Sequence, residues 1–340
     1  MKRYPSVSHW IVNLTYITIG VTVNLTTLPG SKFVYARECC EKEVERQDYR
    51  VYLHHSDCAE DSELNWLENN SLNNFRGKRF RSGFYVSHHF DNPAYLFDIG
   101  GEIHVVGSTL DKLLWSYFTK YFLTIEAELR GRLHLKAAVI DIDGSGVALV
   151  GRGSAGKTVF TTEACKRGAT FVCNTHAIVR GDGYTIGVQS PMRVRKDEYF
   201  SPLISKLKAQ PHINDTEYTL HPDQLFLNNT TKANIKNIII LDYNPDAQSN
   251  YVEISKKQMY DFCYMFSLPI PTYGIKDDIL YWKNNDHHKM FEVISNMNQT
   301  LREFIDNTRC YYVNTDIRQD ENYGAIMRML DLNSHSQFEV

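Results

Sequence analysis

The chain has 340 residues, 43% of them hydrophobic, and a formal net charge of −3. That length allows one large domain or two, each with a real core, and so small a charge gives no support for a nucleic-acid or polyanion partner. Its seven cysteines (Cys39, Cys40, Cys58, Cys165, Cys173, Cys263 and Cys310) are scattered without a CxxC pair. Neither a zinc site nor a disulfide framework is indicated, and a reducing cytoplasm is the expected compartment.

The start, Met1-Lys2-Arg3 followed by a Val/Ile/Leu-rich run, raises the question of a signal peptide. Asn13, Thr15, Thr18, Thr22 and Asn24 interrupt the run, and no small-residue cleavage pattern is clear. No stretch approaches the roughly 20 apolar residues of a spanning helix, so a soluble protein without membrane association is expected. Ile17, Ile19, Val21, Val23 and Leu25 alternate with Thr18, Gly20, Thr22 and Asn24, a period of two that predicts a half-buried strand. Phe33 to Ala36, Tyr49 to Leu53, Gly83 to His88 and Ala94 to Ile99 read as further strands. Residues 57 to 75 are polar and acid-rich and read as a loop. The first hundred residues therefore predict a mainly antiparallel β region. The basic and aromatic Lys78-Arg79-Phe80-Arg81 reads as a solvated strand face.

Leu110, Leu113, Leu114, Phe118, Tyr121 and Phe122 recur at helical spacing, which predicts a helix over 108–130 with one buried face. Leu133 to Ile142 reads as one strand. Asp143-Gly144-Ser145-Gly146 is a turn signal, and Val147 to Val150 is the second strand of a hairpin.

Gly151, Arg152, Gly153, Ser154, Ala155, Gly156, Lys157 and Thr158 then match the phosphate-binding pattern GxxxxGK[ST]. The glycines let the backbone turn its N–H groups toward phosphate oxygens. Lys157 supplies a point charge, and the Thr158 hydroxyl is a candidate Mg²⁺ ligand. Val159 to Lys166 reads as a helix ended by Gly168, so its N-terminus would point at the phosphates.

Ala169 to Cys173 predicts a strand, and Ala177 to Arg180 and Tyr184 to Val188 predict a hairpin around Gly181-Asp182-Gly183. Residues 196–236 read as polar and irregular apart from Tyr218 to Leu220. Ile235 to Leu241 is the best candidate for a fully buried strand. Ser255 to Phe266 and most of 276–307 read as helical, with a break at Leu268 to Gly274. Arg309 to Asn314 reads as a last strand, and the final dozen residues are expected to fray.

In these surroundings, residues 133–158, with Leu133-His134 opening a strand and a glycine hairpin leading into the loop, resemble the core of the HPr kinase/phosphorylase family and its wider set of HPr-kinase-like proteins. Lys166 to Val172 resembles that family's helix end and next strand. Pro191 to Arg195 and Leu220 to Leu225 carry a weaker likeness. The resemblance covers about residues 130–245. The expected fold is α/β, with a β-rich N-terminal region (1–110) read from its strand pattern and a phosphate-loop core with a mixed sheet (111–254), whose nucleotide core the resemblance implies is similar to that of phosphoenolpyruvate carboxykinase. A mainly helical C-terminal segment (255–340) would cover the acceptor site.

The resemblance further implies ATP-dependent phosphoryl transfer to a hydroxyl of a small molecule or peptide in a biosynthetic pathway, with ATP and Mg²⁺. Where the family has paired aspartates after the loop helix, this chain has Asn174 and Thr175. A neutral amide is a poor proton acceptor and a poor Mg²⁺ ligand. His176 is a substitute candidate base, and its plain alternative is a loop histidine without a role. His134 is carried over as a donor to a phosphate oxygen, with a core histidine as the alternative. Arg193 and Arg195 share a strand face and are candidates to neutralise the transferring group, or else are a solvated edge. Asp141, Asp143 and Asp182 read as strand and turn residues first.

The Asn174-Thr175 pair keeps a second reading open, a nucleotide-binding partner or regulatory protein with weak or no catalysis. A third reading is an NTPase using Asp242, at the end of Ile238 to Leu241, as metal partner. The sequence leaves self-association open.

Overall fold

The computed structural model describes residues 7–14, 17–24, 39–40, 48–55, 69, 78–80, 83–86, 94–99, 102–107, 119–211, 216–243 and 248–332. The expected strand at Phe33 to Ala36, nearly all of the 57–75 loop, Arg81, the 108–118 half of the expected helix and the last eight residues lie outside these. The architecture is mixed α/β. The chain divides into two compact units, Met1–Leu123 with Ile275–Met290, and Thr124–Gly274 with Phe291–Val340.

The first unit is built on an eight-stranded sheet. Its strands are β1 (Val7–Leu14), β2 (Ile17–Asn24), β3 (Cys39–Cys40), β4 (Tyr49–His55), β5 (Lys78–Phe80), β6 (Gly83–Val86), β7 (Ala94–Ile99) and β8 (Glu102–Gly107). Their order is β3-β1-β2-β4-β8-β7-β6-β5. The period-two run is realised in β2, where Ile17 and Ile19 are buried. The sheet is mixed, not mainly antiparallel, because β4 runs parallel to both β2 and β8. Alternation reports which face is buried and is silent on strand direction. Val51, Leu53 and Val105 of the two central strands are fully buried.

Beyond α1 (Lys120–Leu129) come β9 (Leu133–Lys136), β10 (Ala138–Ile142), β11 (Ser145–Val150), α2 (Lys157–Lys166), β12 (Thr170–Cys173), β13 (His176–Val179), β14 (Tyr184–Val188) and β15 (Met192–Arg195). They are followed by α3 (Ser201–Leu207), β16 (Gln210–Pro211), β17 (Glu217–Leu220), α4 (Pro222–Leu225), β18 (Lys232–Asp242), β19 (Asn250–Glu253), α5 (Lys256–Phe266), α6 (Pro269–Tyr273), α7 (Lys276–Trp282), α8 (His287–Asp306), β20 (Arg309–Asn314) and α9 (Asp320–Met329). The 196–236 segment is thus more regular than its polarity implies, and α6 occupies the expected break, since Pro269 is tolerated in a first helical turn.

The second unit's main sheet has the order β12-β10-β11-β18-β14-β13-β9, with β20 paired to β18 and β19 to β20. β18 holds it together. Its first residues pair antiparallel with β14, and its last six pair parallel with β20. Between Ile235 and Ile240 it runs parallel to β11. Ile238 and Ile239 are fully buried, as expected of a strand covered on both faces.

The expected single strand 133–142 is two strands. β9 pairs with β13 and β10 with β11 and β12, so at Ala137 the chain passes from one end of this sheet to the other. No glycine or proline between Leu133 and Ile142 marks such a crossing. The following hairpin turns on two residues, Asp143 (φ 52°) and Gly144 (φ 84°). Both φ values are positive, as the favoured Asp-Gly hairpin turn requires. Asp141 Oδ1 accepts from the Gly144 N–H at 2.8 Å, so Asp141 and Asp143 serve the turn.

α2 lies over the parallel strands. Phe160 and Ala164 pack with Ile140, Leu149, Ile239, Leu241, Tyr311 and Val313, and with Tyr323, Ile326 and Met327 of α9. Val159, on another face of α2, packs against Val194, Phe200, Ile204, Tyr218 and Leu220 of the small β15-β17-β16 sheet and α3. The helix is therefore clamped by two hydrophobic clusters.

Candidate functional site

The loop 151–158 connects β11 to α2 at the end of the strand pair β11 and β18. In open α/β sheets the crevice beyond the carboxyl ends of parallel strands is where ligands sit. Gly151 is fixed there by its neighbours. A Cβ on it would come within 2.6 Å of the Leu241 carbonyl oxygen and 3.1 Å of Ala155 Cβ. Gly156 has φ 86° and forms the N-terminal boundary of α2 without any side-chain cap. The first-turn N–H groups of α2 are thus left for another acceptor. Arg152, Gly153 and Ser154 are exposed, and Ala155 is buried.

The Lys157 ammonium donates to the carbonyl oxygens of Gly151 and Arg152, each at 2.7 Å. Burial, and next the charge of Lys136, bring its pKa down to about 8. Both causes disfavour a cation with no anion beside it. Arg152 instead leans toward Asp242 at the end of β18, at 3.8 Å. The Asp242 carboxylate also accepts from the Tyr243 N–H at 3.1 Å.

Thr158 Oγ1 donates to Asn174 Oδ1 at 3.4 Å. The two sequence candidates meet because β12 ends at Cys173, and Asn174 and Thr175 carry the chain over to β13. This crossing lies beside the one at Ala137. The Ala137 N–H donates to the Thr175 oxygen at 3.0 Å, and the Cys173 thiol reaches the Ala137 oxygen at 3.7 Å. Among the described residues no three His, Cys, Asp or Glu side chains gather as a metal-ligand set. Thr158 and Asn174 offer neutral oxygens only.

His134 and His176 are brought together in the core. They are 0% and 1% exposed, and His134 Nε2 lies 3.0 Å from His176 Nδ1. Thr124 Oγ1 is 3.0 Å from His134 Nδ1, and the Tyr273 hydroxyl is 3.4 Å from His176 Nδ1. Burial pushes the Tyr273 hydroxyl pKa up. This row of buried polar groups ties α1, β9, β13 and α6 together.

Arg193 and Arg195 do share the exposed face of β15, as their spacing implies. Both lean on Glu217 of β17, at 3.6 and 4.0 Å. Asp182 accepts from the Tyr184 N–H at 3.1 Å and pairs with Arg180, which is turn chemistry. A buttress behind the loop helix went unread in the sequence. Glu163 on α2 takes hydrogen bonds from Lys166, Arg167 and the Tyr199 hydroxyl, and Arg167 also holds Asp320 of α9 at 2.6 Å.

Lys136 was also missed. Its one sequence signal is a lysine set between the apolar Leu135 and Ala137. Cys173 and Cys263 are buried and Cys165 half-buried, and burial pushes each thiol up to about 12, as suits inert thiols. Among the described residues no helix is long and apolar enough to cross a membrane. No protein-family model matches the chain, and no curated protein is found to be similar to it.

Proposed function

We propose that residues 151–158 bind the β- and γ-phosphates of ATP and that the chain is an HPr-kinase-like phosphotransferase acting on a hydroxyl of a small molecule or peptide. The observation that carries the reading is the Lys157 ammonium. It is held by loop carbonyls at the uncapped start of α2, with no carboxylate paired to it among the described residues. A half-buried cation beside unsatisfied N–H donors suits a polyphosphate. The close approach of Gly151 to Leu241 supports it, since that contact holds the loop at the strand end. Thr158 would hold a Mg²⁺ ion, which when bound would offset the negative charge of the phosphates.

A second reading is favoured by one contact. The Thr158 hydroxyl is partnered by the Asn174 amide, where the family resemblance leads one to expect a carboxylate. Together with the burial of His176, this supports a nucleotide-binding partner that transfers slowly or not at all. Calorimetry with ATP, with and without Mg²⁺, on wild type and Lys157→Ala tests the common core of both readings. Tight, Mg²⁺-dependent binding lost in the variant is the expected result. Absence of binding by wild type would sink both. Release or transfer of labelled γ-phosphate then separates kinase from binder.

A further inference from the structure

The small sheet has the order β15-β17-β16, so β15 is an edge strand among the described residues. Its antiparallel register sets Arg193 against Thr219 and Arg195 against Glu217 of β17. Just past the strand the Lys196 N–H donates to the Thr216 oxygen at 2.8 Å. In an antiparallel ladder, hydrogen-bonded pairs alternate with unbonded ones. Met192, Val194 and Lys196 therefore turn their main-chain groups toward β17, and Arg193 and Arg195 turn theirs outward. The Arg195 oxygen accepts from the Asp197 N–H at 2.9 Å. Among the described residues, the Arg193 and Arg195 N–H groups and the Arg193 oxygen have no partner.

The strand is fixed from one face. Met192 is buried with Phe171 and Phe226, and Val194 with Phe200, Ile204, Tyr218 and Leu220. On the other face the Arg193 and Arg195 side chains are 60% and 69% exposed. Both lean on the one carboxylate of Glu217 at distances too long for hydrogen bonds. Ion pairs this exposed contribute little, so the two guanidiniums are only loosely engaged.

An open edge held rigidly from below is a template for one more strand. Side chains directly opposite each other on neighbouring strands share a face and lie about 5 Å apart. A second copy of β15 would set arginine against arginine, which is unfavourable. A strand with carboxylates at alternate positions would satisfy the main chain and both guanidiniums together. We infer that the edge of β15 is a docking site for an extended acidic segment of a protein partner. The segment adds antiparallel to β15, as a further strand of that sheet. This inference stands apart from the reading of the loop as an ATP site.

The test is fluorescence anisotropy of the full chain with labelled peptides of about eight residues, enough to pass the whole edge. One peptide alternates glutamate with threonine, and a second has lysine in place of glutamate. The glutamate peptide should bind and the lysine peptide should not. N-methylation of the glutamates, whose N–H groups would face β15, should weaken binding by about tenfold or more, and N-methylation of the threonines should be tolerated. Arg193→Gln combined with Arg195→Gln should weaken binding by about five- to thirtyfold. Glu217→Gln, which frees both guanidiniums, should strengthen it by up to about fivefold. Melting midpoints report that the variants are folded, and the N-methylated peptides decide the matter on wild type alone. Absence of binding, equal binding of the lysine peptide, or indifference to N-methylation of the glutamates overturns the inference. A single-stranded oligonucleotide that displaces the glutamate peptide at equal concentration overturns it in favour of a general polyanion site. A concentration-dependent dimer that is lost in the double variant overturns it in favour of self-association.

Discussion

Replacing Lys136 by Met should make the nucleotide-free protein more stable. The Lys157 pKa is brought from 10.5 to about 8. At about 1.4 kcal/mol per pH unit, keeping Lys157 charged in the folded state at pH 7 costs roughly 3 kcal/mol. Burial is the larger cause and the Lys136 charge the smaller. With partial exposure of both side chains screening the repulsion, its share is about 1 kcal/mol. Removing the buried charge of Lys136 itself adds in the same direction.

The variant should then melt about 2–4 °C higher than wild type at pH 7. The sign with pH is fixed by the lowered pKa. Below about 8 Lys157 is charged in both folded and unfolded states, and the penalty is complete. Between about 8 and 10.5 the unfolded chain binds a proton that the folded chain does not, so this group adds stability as pH rises. The advantage of Lys136→Met should shrink over that window. Melting midpoints of both proteins at pH 7 and 9.5, at low salt and without nucleotide, decide it. A variant that melts lower at pH 7, or a gap equally wide at pH 9.5, refutes the picture of two uncompensated cations.

Other outcomes follow from the same geometry. Gly151→Ala should lower stability by about 2–3 kcal/mol, because its Cβ meets backbone and not a movable side chain. Gly153→Ala, with nothing within 4 Å, should melt like wild type. Asn174→Asp, which sets a carboxylate against Thr158, should increase the Mg²⁺ dependence of ATP affinity about tenfold, measured by calorimetry across a Mg²⁺ series. Asp242→Asn should leave turnover intact if the chain is a kinase and abolish it if the chain is an NTPase using that residue. Glu163→Ala should cost about 2–3 kcal/mol in urea unfolding, since it leaves Arg167 and Tyr199 without a shared acceptor.

What was legible in the sequence is what is local. The Asp143-Gly144 turn and the loop glycines are written in neighbouring residues. The buried strand at Ile235 to Leu241 announces itself by composition. The crossing at Ala137 does not, because no glycine or proline marks it. Strand direction in the first sheet is likewise invisible to a period of two. At the site, the lysine and threonine of the loop are read directly from their motif. The contact of Asn174 with Thr158 needs the fold, since it is set by strand pairings tens of residues apart. The burial of His134 and His176 against each other follows from the register of β9 with β13, which neither histidine's own neighbours encode.

β18 belongs to two ladders at once, antiparallel to β14 at one end and parallel to β11 and β20 at the other. Such a strand leaves the second unit without a seam along which one ladder could peel away. Amides of β14 and β20 would then exchange with solvent at one common, slow rate set by global unfolding of that unit. The parallel pairs also join residues some 70 positions apart, Asn237 with Arg309 and Asp242 with Asn314. Chain segments that distant find each other late in folding. The strand end that carries Asp242 would gain its final partner only in the last steps of assembly, so nucleotide would meet a completed sheet and not help to build one.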